Sequence, residues 1–563
     1  MKHGAWAFAL AAVAAVGVGC GGDDLQFDDD DDGGGAGAGD SSGNNGTGVG
    51  AGGSPPQVVL EVDPVFGVTN VDDDDQNGVP DFSDPYLPGE DDLSPVVIGA
   101  ERLAELEVGA EIRLTLAGNI GDIRVFHDGV AVLGAETGIT TYTLAYAGQP
   151  PNLEVEFGNY FAQGALAVEL LDAEGVTTEW VEARVMAAPL ILNHHVQPLE
   201  RAWVLATSGN ADMRNDFQTV LADRFEASPG QPYGFDVWLQ DEPQFATQTG
   251  NHGERQDVII DSIRDRGLDP WPEDRPNGEF GVSTWGNPNF ANTFDSFGNL
   301  EVSPPVGVAG TDYPFGRIYY GKRGNAGLGD ELATFLASQL IQAPVEIDTT
   351  WLCVGHVDEF STFIPDPNSE KGFKLLFADT RSAYQILDGL DPAYPIPRYT
   401  TPHGVSTAGD IRNSSFLTNF NNTIQEDYLD PILDQFKAEF GLTDDDVILV
   451  PSLFEECGPA SVALVPGMVN LIVANPEGAT PTLIVPDPFF RVPSQSADTD
   501  PFAIAFRDAM PEGLDVVFTD AFFTYHVNLG EVHCGTAVQR TPDPKAWWVE
   551  GRDLLPVEET LFQ

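Results

Sequence analysis

Three short segments combine reactive side chains with apolar flanks: WLQDEPQ from Trp238 to Gln244, WLCVGHVDEF from Trp351 to Phe360, and GEVHCGT from Gly530 to Thr536. They offer a thiol at Cys534, an imidazole at His356 and carboxylates at Asp241 and Asp358. Taken singly, each has an ordinary explanation, because an isolated cysteine is usually an inert small hydrophobe and a lone histidine in an apolar run is more often a hydrogen-bonded core residue than a catalyst. Cys353 and Cys457 are assigned that inert role. Cys534 differs, since the Gly, His and Glu around it predict an exposed turn with polar neighbours, where a thiolate is usable. In an extended backbone His356 and Asp358 would share one face. Together the groups suit attack on a guanidinium. Two carboxylates can hold its fork of N–H donors bidentately, a thiolate can reach the central carbon from above the plane, and an imidazole can protonate the departing amine.

Other signatures are missing. There is no H-E-x-x-H, C-x-x-C, G-x-S-x-G or Walker-type loop, and GKRGNAG from Gly321 to Gly327 lacks phosphate-cradling spacing and reads as a turn. The elements that must position the reactive residues lie after Ala187. There, strand-like runs such as ILNHHV, RAWVLAT, VILVPSLF and TLIVPDP alternate with helical stretches at Asp330 to Gln342 and Glu426 to Phe440. That alternation predicts an α/β domain over residues 187–563, large enough to be built of repeated units. Residues 96–186 read instead as short alternating strands separated by Gly, Asn and Asp, which predicts a β-sandwich without chemistry of its own.

The 563 residues exceed what one core supports, while 42% hydrophobic content is ordinary for a folded protein. With 88 acidic against 26 basic residues the net charge is -62, which disfavours nucleic acid and anionic lipid and favours divalent cations and basic peptides, or serves solubility alone. No Lys or Arg occurs between Lys2 and Arg102. Met1 to Cys20 has a basic start, a short apolar run and small residues before Cys20, the pattern of a bacterial secretory leader. Cys20 resembles a lipoprotein acceptor, with Gly17 where such sites usually carry Leu. Cell-envelope anchoring through lipid alone, or secretion, is therefore expected. Residues 21–58 form a Gly/Asp-rich flexible linker. With Cys20 in the leader the folded part keeps an odd number of cysteines, so no disulfide framework is expected. In the acidic segment 59–95, Asp73, Asp75, Asn77, Asp81 and Asp84, with Gly78 at the turn, follow the ligand spacing of a Ca²⁺ loop.

Longer stretches carry a resemblance. VIIDSIRDRGL, FDSFGNLEVSPPV, YPFGRIYYG, WLCVGHVDEFSTFIP, KGFKLLFAD, LIVPDPF, FTYHVNLGEVHCGT and AWW, in this order, resemble the catalytic domain of the peptidylarginine deiminases from about Ala187 to Trp548. The resemblance implies a five-bladed pseudo-symmetric α/β propeller preceded by immunoglobulin-like domains. It also implies calcium-dependent hydrolysis of peptidyl-arginine to citrulline, with release of ammonia, through a cysteine thiouronium. It assigns Cys534 as nucleophile, His356 as acid/base, Asp241 and Asp358 as guanidinium carboxylates, Trp238 and Val354 as walls of the arginine slot, and Arg264 and Arg266 as backbone-binding residues. It further implies two calcium sites, one of Gln240, Glu301 and the Phe297 and Leu300 carbonyls, the other of Glu242, Asp261 and Ser262. Gln244 stands where the family has an acid, and Asp265 where it commonly has Asn. Competing readings are a deiminase or hydrolase of free arginine, agmatine or methylated arginine, and a non-catalytic calcium-binding surface protein. Retention of all four central residues speaks against the latter.

Overall fold

The computed structural model of the protein describes residues 59–73, 80–83, 88–89, 92–275 and 280–555. The leader, Cys20, the linker and the loop positions Asp75, Asn77 and Asp84 lie outside them. Among the described residues no helix is long and apolar enough to cross a membrane.

Residues 59–187 form two sheets over a shared core. In one, Glu111–Gly118 pairs with Thr141–Ala145 and Gln163–Leu171, and Thr177–Ala187 completes it. In the other, Ile123–His127 lies between Val130–Gly134 and Leu153–Phe157. Alternation does the sorting: along Glu111–Gly118 every second residue, Ile112, Leu114 and Leu116, is buried against Val125, Val155 and Phe157 of the facing sheet. The segment 59–95 is part of this unit, since Val65–Gly67 pairs in parallel with Thr177–Ala187 and Ser94–Pro95 with Leu153–Phe157. Asp81, one of the expected loop ligands, is buried there and its backbone N–H donates to the Asp72 carbonyl at 3.0 Å.

The rest is built from one repeated device. Five small mixed sheets each have a central strand with an antiparallel neighbour on one side and a parallel one on the other. The central strands are Leu199–Ala206, Arg255–Asp261, Ile318–Lys322, Phe373–Asp379 and Thr482–Pro486. The parallel neighbour is reached through helical chain, as it must be when two parallel strands are joined. Caps set where these helices begin. Asp379 accepts from Ser382 N–H at the head of Thr380–Gly389, and Asp500 accepts from Phe502 and Ala503 N–H ahead of Pro501, whose missing donor costs nothing in the first turn. Apolar faces such as Phe502, Ala503 and Phe506 then pack against the sheets. The sheet around Leu199–Ala206 takes its antiparallel neighbour, Thr536–Arg540, from the far end of the chain and so closes the unit.

The expected helices differ in extent from their sequence patterns. Asp330–Ser338 replaces Asp330 to Gln342, whereas the second helical run is longer than expected, starting at Ser415–Ile424 and passing through a π-turn at Gln425–Leu429 into Asp430–Glu439. A disulfide joins Cys353 and Cys457, with Cα atoms 5.9 Å apart. This overturns their assignment as inert free thiols: the odd count leaves Cys534 as the free one, and the other two meet across a separation of 104 residues.

Candidate active site

The antiparallel strands of the five sheets begin just after five short segments, and those segments supply the site. Leu239–Asp241 precedes Pro243–Thr249, Phe297–Asn299 precedes Leu300–Val302, Val357–Glu359 precedes Ser361–Pro365, Asn470 precedes Ile472–Ala474, and Cys534 precedes Thr536–Arg540. Three of them are single 3-10 turns: Asp241 ends one, and Asp358 lies in another capped by His356, so of the pair expected on one extended stretch only His356 is extended. A tight turn ahead of a buried strand aims its polar side chain at the space where the segments meet.

Cys534 is buried at 6% exposure rather than on an exposed turn. Its Sγ lies 3.3 Å from Asp358 Oδ2 and accepts from Asn470 Nδ2 at 3.2 Å. Burial first, and the Asp358 carboxylate second, push its thiol well above the ordinary range, so the resting group is the neutral thiol. Asp358 Oδ2 also accepts from His533 Nδ1 at 2.9 Å, while buried Oδ1 has no hydrogen-bond partner among the described residues. His356 Nε2 donates to the Thr293 carbonyl at 2.8 Å, which assigns the lone pair to Nδ1. Gly298 leaves room for both groups: a Cβ there would stand 2.8 Å from His356 Nδ1 and 3.0 Å from Asp358 Oδ2, the oxygen that faces the thiol.

Asp241 joins this group through its backbone neighbour, since Gln240 N–H donates to the Cys534 carbonyl at 3.1 Å. Its own Oδ2 is held by Arg266 at 3.0 Å and lies 3.7 Å from Arg264. Arg264 also bonds Ser296 Oγ. The two arginines expected to meet a peptide backbone thus lie on the carboxylate expected to meet a guanidinium. Trp238 is half-buried, edge-on to Tyr525 at 5.7 Å, and Gly530 admits it, because a Cβ there would approach the indole to 2.3 Å. Val354 accepts from Thr293 Oγ1 through its carbonyl at 3.1 Å.

The residues implied as metal ligands fall into two unlike groups. Glu242 is fully buried, and among the described residues neither of its carboxylate oxygens has a hydrogen-bond partner, nor does Asp261 Oδ1, while Asp261 Oδ2 accepts from Thr284 at 2.8 Å. Burial, then the neighbouring Asp261, pushes Glu242 up to about 9; burial pushes Asp261 up to about 8. Orphaned, crowded carboxylate oxygens of this kind suit a hard cation. Ser262 Oγ donates to the Asp295 carbonyl at 2.8 Å, and Asp265 lies within the same acidic group. The other set fits an oxygen-only site poorly. Gln240 Nε2 donates to the Phe297 carbonyl at 3.3 Å and to Gln244 Oε1 at 3.4 Å, and buried Leu300 opens a strand paired with Tyr320. Glu301 stands between two imidazoles, His195 and His533.

Sequence reasoning missed Asn470, His533 and His195. Asn470 bonds the thiol, the Asp358 carbonyl and, through Oδ1, the N–H of His533 at 2.9 Å. Its only sequence signal is a lone amide inside the apolar run GMVNLIV.

Fold and site together define an α/β protein with a buried thiol set among carboxylates and imidazoles. The family model for protein-arginine deiminase (PAD) matches residues 176–549. Similar proteins include protein-arginine deiminase type-4 of Rattus norvegicus, 34% identical over 387 residues that cover 64% of this chain and 55% of the relative. Type-4 of Homo sapiens is 33% identical over 411 residues, 68% of this chain and 59% of the relative, and type-1 of Homo sapiens is 32% identical over 385 residues, 64% and 56%. The chain belongs to the protein-arginine deiminase family. It spans somewhat over half the length of these relatives.

Proposed function

We propose that the chain hydrolyses the guanidinium of arginine in peptides to citrulline and ammonia, and that calcium assembles the site. The observation that carries this is the pairing of Cys534 Sγ with Asp358 at 3.3 Å beside an Asp241 already gripping a guanidinium, that of Arg266. The substrate guanidinium would displace Arg266 from Asp241 and take the bare Oδ1 of Asp358. A cation between the two carboxylates offsets the charge that holds the thiol proton on, so substrate binding itself favours the thiolate. The thiol proton passes to the lone pair at His356 Nδ1, and Sγ attacks the central carbon. The C–N bond breaks as His356 delivers a proton to the leaving ammonia, giving the thiouronium. Water, losing a proton to His356 Nδ1, adds to the same carbon, and rupture of C–S returns Cys534 and citrulline. Trp238 and Val354 wall the side-chain slot, and Arg264 and Arg266, once freed, bind the peptide backbone.

Glu242, Asp261, Ser262 and Asp265 would hold calcium, whose charge neutralises carboxylates that otherwise resist being close. Asp73, Asp75, Asn77, Asp81 and Asp84 would form a separate, structural calcium loop. The five mixed sheets are read as five blades of one pseudo-symmetric propeller, and the two sheets of residues 59–187 as a sandwich ahead of it. Export with lipidation of Cys20 would put the enzyme in a bacterial envelope. The test is ammonia release from a blocked arginine amide and from free arginine, each with and without calcium. Calcium-dependent turnover of the blocked substrate is expected, and preference for free arginine would shift the assignment to a small-molecule deiminase.

A further inference from the structure

We infer that His195, Glu301 and His533 form a site for a nitrogen-preferring divalent cation of the zinc class, beside the nucleophile and separate from the all-oxygen cluster at Glu242 and Asp261. This stands on geometry and does not depend on the deimination reading. His195 Nε2 lies 3.0 Å from Glu301 Oε2, His533 Nε2 lies 3.4 Å from Glu301 Oε1, and one ligand atom from each residue falls within 4.8 Å of the others. Tetrahedral coordination with bonds of about 2.0–2.2 Å separates ligand atoms by roughly 3.4 Å, so small side-chain rotations gather all three around one ion.

The placement of His533 suits such an ion. Its Nδ1 lies 2.9 Å from Asp358 Oδ2 and its Nε2 3.4 Å from Glu301 Oε1, so one ring nitrogen is anchored on a carboxylate while the other faces the cluster. Asp358, His533 and the ion would then form the carboxylate–histidine–metal chain that fixes tautomer and ring orientation in metal sites. Glu301 is only 4% exposed, and its Oε1 makes no hydrogen bond among the described residues, the 3.4 Å ion-pair contact with His533 Nε2 being its approach to the ring. The cavity beside the three residues is also lined by the amides of Gln240 and Gln244, which leaves a fourth position open to water.

Ligand type decides the class of ion. Calcium takes about six to eight oxygens, whereas two imidazoles and one carboxylate is a donor set used by zinc sites. One group opposes the site: Arg540 lines the same cavity, although its donors are directed to the Gln197 carbonyl at 2.8 Å, Asn475 Oδ1 at 2.9 Å and the Val473 carbonyl at 3.0 Å. Its charge weakens the affinity. An ion here would hold His533 unprotonated and so fix Asp358 Oδ2, the atom that also faces Cys534 Sγ.

The experiment uses the full chain freed of metal with a chelator. Zn²⁺ binding is followed by equilibrium dialysis, and Co²⁺ serves as an optical stand-in whose visible bands report a nitrogen and oxygen environment. Wild type should bind a single equivalent that a large excess of Ca²⁺ does not displace. His195→Asn should weaken binding by at least about tenfold, since even partners outside the coordination shell carry about 10–100-fold in metal affinity. Glu242→Gln should leave it unchanged. Anomalous scattering from zinc-soaked wild-type crystals locates the ion directly if the His195 variant fails to fold. A sulfur-to-cobalt charge-transfer band lost in Cys534→Ser, displacement by calcium, an ion at Glu242 instead, or no retained metal would each overturn the inference.

Discussion

A buried pair of carboxylates, Glu242 and Asp261, and a single one, Glu301, lie on or beside the segment 238–244 and are treated differently by the fold. Among the described residues Glu242 and Asp261 keep oxygens without a hydrogen-bond partner, and both carboxyls are pushed far up by burial. Glu301, on the side of Gln240, has an imidazole against each oxygen. The first group stores repulsion that a hard cation relieves; the second has partners of its own and is selective about what joins them. One short turn, Leu239–Asp241, separates them and carries the carboxylate that grips a guanidinium. Occupancy of the oxygen cluster is therefore free to act on the position of Asp241.

The widest separation should come from activity. Asp241→Asn removes an arm of the guanidinium grip, so turnover should fall by about 10²–10³-fold, the size of losing one preorganised electrostatic partner, and calcium should not restore it. Asp261→Asn should instead raise the calcium needed for half-maximal activity while saturating calcium recovers most of the rate, because a misplacement of about 1 Å, worth about a hundredfold, is corrected once the ion is held. Recovery of Asp241→Asn at high calcium would erase the distinction between gripping and positioning.

A smaller effect concerns stability. Calcium at a hundredfold excess over its Kd should stabilise the fold by about 2.7 kcal/mol per site, and Glu242→Gln should remove that gain at its own cluster while leaving Zn²⁺ binding intact. Calcium-titrated thermal unfolding measures it. If Glu301→Gln removed the calcium gain instead, the two clusters would have exchanged roles.

A further effect is the pH dependence of the calcium-free protein. Glu242 and Asp261 rise from 4.5 and 3.8 to about 9 and about 8 on folding, so the folded state binds their protons more tightly than the unfolded one. Their contribution to stability is complete below pH 4 and is lost as pH rises through 8 to 9. Denaturant midpoints without calcium should decline across that window, and calcium should flatten the slope. A metal-free protein growing more stable from pH 5 to 9 would contradict the assignment.

Much of this arrangement was legible in the sequence and some was not, for identifiable reasons. The segments around Asp241, His356, Asp358 and Cys534 stand out because reactive types sit in apolar surroundings, and ordered stretches such as GEVHCGT carry the family resemblance. Alternating strands and helices gave the α/β class. The sheet repeat was expected from domain size and the family resemblance rather than from periodicity, because its antiparallel strands run as short as Leu300–Val302 and Ile472–Ala474, too brief for a period to register. The roles of His195, His533 and Asn470 were missed, since they arise only when segments distant in sequence converge. The Cys353–Cys457 pairing was obscured by an odd cysteine count, and the burial of Cys534 by polar neighbours that turn inward.

The central claim is that Cys534 attacks a guanidinium held between Asp241 and Asp358. Citrulline formation in a blocked arginine peptide, measured at saturating calcium for wild type and Cys534→Ser with circular dichroism to verify the fold, tests it most directly. Steady calcium-dependent turnover by the wild type and none above background by a folded Cys534→Ser are expected. A folded serine variant that retained a tenth of the wild-type rate would contradict the account.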